Sequence, residues 1–204
     1  MTAEAAHWDA AYANGETTRS WFQERPDLSL RMLGSAGVSA ADAVIDVGGG
    51  ASSLAGGLLD RGFGDVTVLD LSAAGMRYAR HRLGPRAERV QWLAEDILTW
   101  QPQRCYQAWH DRAVFHFLTT DRDRRRYLQT LRAATAPGAA AVFGCFAPDG
   151  PGQCSGLPVV RYDPARLAEL LGDEWLLIGQ DREEHMTPAG TIQPFTWVAL
   201  RKQP

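Results

Sequence analysis

This 204-residue chain has no apolar run near the roughly 20 residues that span a bilayer, so no membrane-crossing helix and no membrane partner are expected. It has only three cysteines, Cys105, Cys145 and Cys154, an odd number at wide spacing. They make no Cys-x-x-Cys pair and no disulfide framework, which points to a reducing, cytoplasmic setting. Neither sign of charge dominates: 21 Lys and Arg against 24 Asp and Glu leave a formal net charge of -3. Such a balance leaves no electrostatic footprint for nucleic acid as a partner. The histidines His7, His81, His110, His116 and His185 show no metal-ligand spacing, so no metal is expected. The first eleven residues carry Glu4, His7 and Asp9 where a secretory leader needs a basic start and an apolar stretch. No internal repeat and no low-complexity tract is present.

What is there suits one domain, 1–204, with 45% hydrophobic residues to fill a single core. Short β-rich apolar runs alternate with helical stretches, the pattern of an α/β fold with a mainly parallel sheet. Strands are expected over 43–47, 65–69, 90–94, 106–110, 139–146, 174–183 and 191–200. Helices are expected near 4–12, from Pro26 to about Gly34, from Ser52 or Ser53 to Gly62, and over 72–83, 121–134 and 163–171. The last two strands lack a helical crossover and must lie antiparallel. The first 40 residues form a helical cover, and the Pro/Gly-rich stretch 147–162 is long enough to be a functional loop.

The strongest local signal is Val44-Ile45-Asp46-Val47-Gly48-Gly49-Gly50-Ala51-Ser52-Ser53, an apolar strand running through glycines into a helix start. Glycines there let a ligand approach the backbone, and the free N–H groups of the helix start face it. A dinucleotide fingerprint wants a third glycine where this chain has Ser53. Asp46 would also repel a pyrophosphate, whereas it suits a ligand carrying an ammonium and a sulfonium. Asp70 ends the second strand about 20 residues on, where an acidic side chain accepts ribose hydroxyls, with Leu71 beside it to pack on a purine. Asp96 and Ile97 follow the third strand, one to accept an amino group and one to flank the ring. Ligands of open α/β sheets sit at such carboxyl ends.

These residues resemble the class I S-adenosylmethionine-dependent methyltransferases, whose pattern reads here as Asp46-Val47-Gly48-Gly49-Gly50, Asp70 and Asp96. The resemblance runs from about residue 43 to the C-terminus. It implies a Rossmann-like three-layer sandwich with a seven-stranded, mainly parallel sheet and an antiparallel last strand inserted beside the fifth. It implies S-adenosylmethionine as cofactor, S-adenosylhomocysteine as product, and cofactor contacts from Asp46, Gly48, Gly49, Gly50, Asp70, Leu71, Asp96 and Ile97. One departure is Gly49-Gly50-Ala51 where many relatives have Cys-Gly-Thr/Ser-Gly, which removes a hydroxyl. More loosely, Trp8-Asp9-x-x-Tyr12 and Ser20-Trp21-Phe22 are similar to the first segment of elongation-factor lysine methyltransferases and thiopurine methyltransferases. That likeness places Trp21 or Trp8 near the sulfonium, where an aromatic face attracts a cation by about 0.5–2 kcal/mol.

By family position Asp111 would meet the ammonium of the methionine moiety. His116, about one turn further on, is the candidate general base, with an ordinary pKa near 6.5. Arg112 pairs with Asp111 or with an acceptor carboxylate, and Cys154 and Arg161 are further candidates for holding the acceptor. The stretch Asp111-Arg112-Ala113-Val114 is not the Asn/Asp-Pro-Pro-Tyr of enzymes acting on amides and base amino groups, which disfavours DNA as acceptor. The expected activity is methyl transfer to an N, O or S atom of a small molecule. The alternatives are a protein lysine methyltransferase and a non-catalytic S-adenosylmethionine-binding protein.

Overall fold

The computed structural model describes residues 3–13 and 15–203. Met1 and Thr2, the start of the segment read against a secretory leader, lie outside the described residues. The chain runs α1 (Ala3–Ala11), α2 (Asp27–Ser35), β1 (Val44–Val47), α3 (Leu54–Asp60), β2 (Val66–Asp70), α4 (Ala73–Leu83) and β3 (Val90–Ala94). It continues through β4 (Tyr106–Arg112), α5 (Asp121–Ala134), β5 (Thr135–Phe146), β6 (Gln153–Cys154), β7 (Leu157–Pro158), α6 (Pro164–Leu171), β8 (Trp175–Met186) and β9 (Ile192–Lys202).

Seven strands form one sheet in the order β3-β2-β1-β4-β5-β9-β8. Strands β1 to β5 are parallel, and β9 runs antiparallel to both neighbours, β5 and β8. The Rossmann-like sandwich with a reversed last strand beside the fifth is therefore present.

Successive strand residues face opposite sides of a sheet, and both sides are apolar here. Val44 packs with α2 and α3 through Leu30, Leu33, Leu54 and Leu58. Its neighbour Ile45 packs with Trp109, Phe143 and the α5 residues Tyr127 and Leu131. All four residues of β1 are buried, as befits a central strand covered on both faces. Chain order reverses between β1 and β4, and such a switch point leaves a crevice at the strand tips.

Several details differ from the sequence expectation. β5 begins at Thr135 rather than 139, because Tyr106 pairs Thr135 before a register shift to Ala108 and Ala140. Of the two serines expected at the start of α3, Ser53 is the N-cap residue but makes no side-chain cap bond, and Ser52 Oγ accepts from Leu54 N at 3.0 Å. Ser53 Oγ is diverted to the Gln23 carbonyl at 3.1 Å. The stretch expected as an irregular loop contains a small hairpin, β6–β7, turning on Ser155 and Gly156 with φ of 51° and 77°. Two consecutive left-handed residues match the tight hairpin turn whose twist suits its strands. No helix among the described residues is long and apolar enough to cross a membrane.

Candidate functional site

A cavity of about 400 Å³ opens at the tips of β1, β2 and β4, within the size range of small-molecule sites. Its floor is the glycine turn. Gly48 has φ +70°, and a Cβ there would lie 1.9 Å from Val114 Cγ2. A Cβ on Gly49 would lie 2.6 Å from Asp46 Oδ2. At Gly50, with φ +40°, it would meet the Tyr12 hydroxyl at 2.8 Å and Asp70 Oδ2 at 3.0 Å. The turn thus brings backbone against the cavity at a separation that only glycine permits.

The three expected acidic groups are among the six described acidic residues that line it. Asp46, Asp70 and Asp96 all line the cavity, with Leu71 and Ile97 beside the second and third. Asp70 Oδ1 accepts from Ser72 N at 2.6 Å, but burial and the nearby Asp46 raise its pKa to about 7. Asp96 Oδ1 accepts from Leu98 N at 2.8 Å. Asp46 Oδ1 sits 2.7 Å from His110 Nδ1, while Oδ2 has no hydrogen-bond partner.

The roof comes from the N-terminal residues. Trp8, Tyr12 and Trp21 line the cavity, and the Trp8 and Trp21 rings meet edge to face with centroids 5.9 Å apart. Phe117 closes against Trp8 at 5.1 Å. Tyr12 is buried over Gly50, and burial together with Asp70 pushes its phenol up to about 12. The segment 20–23 is fastened down at four points. Ser20 O lies 2.7 Å from His185 Nε2, Trp21 O accepts from Arg112 at 2.9 Å, and Gln23 joins Glu183 through its side chain and Ser53 through its carbonyl. From the stretch 147–162, Cys154, Leu157 and Pro158 reach the wall. The Cys154 thiol is buried, which raises its pKa to about 11.

Three expected site residues do not meet the others here. Asp111 is fully buried behind the strand. Its carboxylate accepts the N–H groups of Val114, at 2.9 Å, and Phe115 and the Tyr127 hydroxyl, leaving nothing for a ligand. Burial outweighs these donors and raises its pKa to about 6. His116 is also fully buried, in a short helical turn, with its ring 4.7 Å from that of Phe146 and 4.5 Å from that of Phe117. Burial and the positive charge of Arg112 push it down to about 3, so it holds no proton near neutrality. Arg161 turns to the Gly150 carbonyl at 3.3 Å and does not line the cavity.

Sequence reasoning passed over His110, which does line the cavity. Its signal was its register opposite Asp46, once β1 and β4 are known to be neighbours. Arg112 lines the cavity, the only Arg or Lys among the described residues to do so, and its ion pair is with Glu183 rather than Asp111. Among the described residues no cluster of His, Cys, Asp or Glu could hold a metal ion.

Residues 44–138 match the family model of a methyltransferase domain. A search of curated protein sequences finds no significant match. Among solved structures, a protein from a study of the conversion of a disulfide bond into a thioacetal group during echinomycin biosynthesis has a TM-score of 0.77 at 21% identity. That match covers 98% of this chain and 93% of that one. The N-methyltransferase NodS from Bradyrhizobium japonicum WM9, in complex with S-adenosylhomocysteine, gives 0.75 at 16% identity over 98% of both chains. The 1,6-didemethyltoxoflavin-N1-methyltransferase of Burkholderia thailandensis gives 0.66 at 20% identity, covering 98% of this chain and 89% of that one. At these identities the likeness is one of fold.

Proposed function

From a chain with a class I S-adenosylmethionine-dependent methyltransferase fold and a matched methyltransferase domain, we propose an enzyme that moves the methyl group of S-adenosylmethionine to a small-molecule acceptor. The observation that carries this reading is the convergence of Gly48, Asp70 and Asp96 on one cavity.

The residues present fit that cofactor. The turn at Gly48 and Gly49 has no room for a Cβ, so backbone without side chains lines the cavity there. Asp70 is a desolvated carboxylate with no cation beside it, and two ribose hydroxyls would supply the donors it lacks. Asp96 takes the adenine amino group, and Leu71 and Ile97 flank the ring. Asp46 replaces Asp111 as the carboxylate facing the ammonium end, since its Oδ2 is unpartnered while both oxygens of Asp111 are engaged. When bound, S-adenosylmethionine supplies an electrophilic methyl carbon on a cationic sulfur. The protein's work is to align an acceptor with it and exclude water. Trp8, Trp21 and Phe117 do the excluding, and the pinned segment 20–23 holds them in place.

Calorimetry should show binding of S-adenosylmethionine and S-adenosylhomocysteine, and none of a nicotinamide dinucleotide. Incubation of methyl-labelled cofactor with a mixed metabolite extract and with whole protein extract should then put label into the small-molecule fraction. Label in protein alone would move the assignment to a lysine methyltransferase. Tight cofactor binding with label in neither fraction would leave a non-catalytic binding protein.

A further inference from the structure

Two side chains on the wall of the cavity carry polar atoms that have no hydrogen-bond partner in the protein. His110 on β4 pairs in register with Asp46 on β1, and their side chains are only 2% and 3% exposed. A carboxylate can only accept, so the contact of His110 Nδ1 with Asp46 assigns the proton to Nδ1 and leaves a lone pair on Nε2. That Nε2 is buried and has no partner. An unsatisfied buried polar atom costs about 1–3 kcal/mol, which a ligand group can offset by supplying the missing partner.

Arg112 lies two residues on, on the same face of the same strand and roughly 7 Å along it. One nitrogen donates to the Trp21 carbonyl, and the guanidinium lies over the Phe195 ring at 4.7 Å. Its Nε and a second terminal nitrogen are buried without partners. The nearest carboxylate, Glu183, stands 4.0 Å away and is already engaged by Gln23 and Trp197. One unpartnered ring nitrogen and two guanidinium nitrogens without a hydrogen-bond partner therefore share a wall of the same cavity.

We propose that His110 and Arg112 are the acceptor subsite, and that the methyl acceptor presents an acidic O–H or S–H group, of the phenol or thiol class. This rests on the methyl-transfer reading above. The O–H or S–H bond breaks with its proton passing to His110 Nε2. The electron pair stays on the acceptor atom, where it forms the new bond to carbon, and the cofactor's sulfur keeps the pair of the bond it loses. The proton leaves His110 to water after the product departs. The groups beside His110 are Asp46, at 2.7 Å, Arg112, two residues on along the strand, and Trp197, whose ring is 6.1 Å from that of His110. Arg112 stabilises the anion left on the acceptor. An ammonium acceptor would meet Arg112 with like charge.

The probe is 4-nitrophenol, whose ionised form absorbs in the visible, added to the protein saturated with S-adenosylhomocysteine. The parent should bind it ionised at a pH where it is neutral in water. His110→Gln should lower the bound ionised fraction about tenfold, the ratio one pKa unit represents. Arg112→Gln should also lower the bound ionised fraction. Arg112→Lys, which keeps the charge should the Gln variant fail to fold, should restore part of the signal. Failure of the loaded protein to bind nitrophenol, or binding in the neutral form, overturns the proposal. So does a His110→Gln variant that loses S-adenosylhomocysteine but keeps the nitrophenolate spectrum. If the parent binds no S-adenosylhomocysteine, the methyl-transfer reading itself falls, and calorimetry separates that outcome from the others.

Discussion

The carboxylate of Asp9, on α1, accepts hydrogen bonds from the Ser72 hydroxyl at 2.7 Å and from Ala74 N at 3.0 Å, so a side chain of one helix completes the N-terminus of another. Ser72 Oγ also accepts from Gly75 N at 3.0 Å, the ordinary cap of α4. The Ser72 bond is the main reason that the Asp9 carboxyl lies below its usual range, with Ala74 and Arg77 adding to it against burial. This contact docks α1, which carries Trp8, and the turn after it, which places Tyr12 over Gly50. Asp9→Ala should therefore cost about 1 kcal/mol, the scale of a lost helix cap, in urea unfolding at neutral pH. Because the folded pKa is depressed, the contribution is present above the unfolded value of 3.8 and is lost as pH falls below it. Parent and variant unfolding curves should converge in that acid range. A constant gap down to the lowest pH would show that the carboxylate is not what is missing.

Asp70, whose pKa is shifted the other way, carries a pH prediction for ligand binding. Its pKa, raised to about 7 by burial, means that the free protein holds a proton there at mildly acidic pH. Ribose hydroxyls donate to the ionised form, so binding must expel that proton. S-adenosylhomocysteine affinity should rise as pH rises through about 7, by at most about tenfold per unit on the acid side. Calorimetry in buffers of different ionisation heat should detect proton release at about pH 6 and little at about pH 8. Asp70→Ala should weaken binding by roughly ten- to a hundredfold, the scale of hydrogen bonds to a charged group, and abolish the proton release. Unchanged affinity in the variant would remove Asp70 from the cofactor site.

The sheet was legible because its signals are long and redundant. The short strand β1, apolar but for Asp46, reads between turn residues as a buried central strand, and glycines between its end and a helix place a ligand there. Side-chain direction at the tip of β4 was not legible. His110, Asp111 and Arg112 are consecutive, so alternation sends the outer two to the cavity and Asp111 to the opposite face. A shift of one residue decides which group meets a ligand, and family position alone does not resolve it. Beyond Arg112 the chain leaves the strand through Ala113, with φ of 68°, and this unforeseen turn carries His116 into the core. The hairpin at 153–158 was missed for a related reason: strands of two residues have no periodicity to read.

Gly48 tests the floor of the site without any ligand. Alanine there must take φ near +70° and place its Cβ 1.9 Å from Val114 Cγ2. Left-handed strain and overpacking together should destabilise the protein by about 2–5 kcal/mol in urea unfolding. Only the overlap depends on Val114, so adding Val114→Ala should return part of the loss, with a coupling of about 0.5–3 kcal/mol in a double-mutant cycle. Strict additivity would mean that the two residues do not touch.

His116 supplies a test that separates a buried neutral histidine from a catalytic one. Burial first, and the charge of Arg112 second, push its pKa down to about 3 in the folded state, against about 6.5 when unfolded. Above about pH 6.5 neither state is charged there, and the residue imposes no pH dependence. As pH falls from about 6.5 toward 3, the unfolded chain takes up the proton first and stability drains away. His116→Leu removes that drain while all other titrating groups stay common to both proteins. Between about pH 7 and about pH 4.5 the parent should therefore lose about 2 kcal/mol more unfolding free energy than the variant. The variant should also leave the pH profile of methyl transfer unshifted, because its imidazole faces Phe117 and Phe146 rather than the cavity. Equal acid sensitivity in the two proteins would show that His116 is not held neutral, and loss of the basic limb of the rate profile would return it to the role of general base.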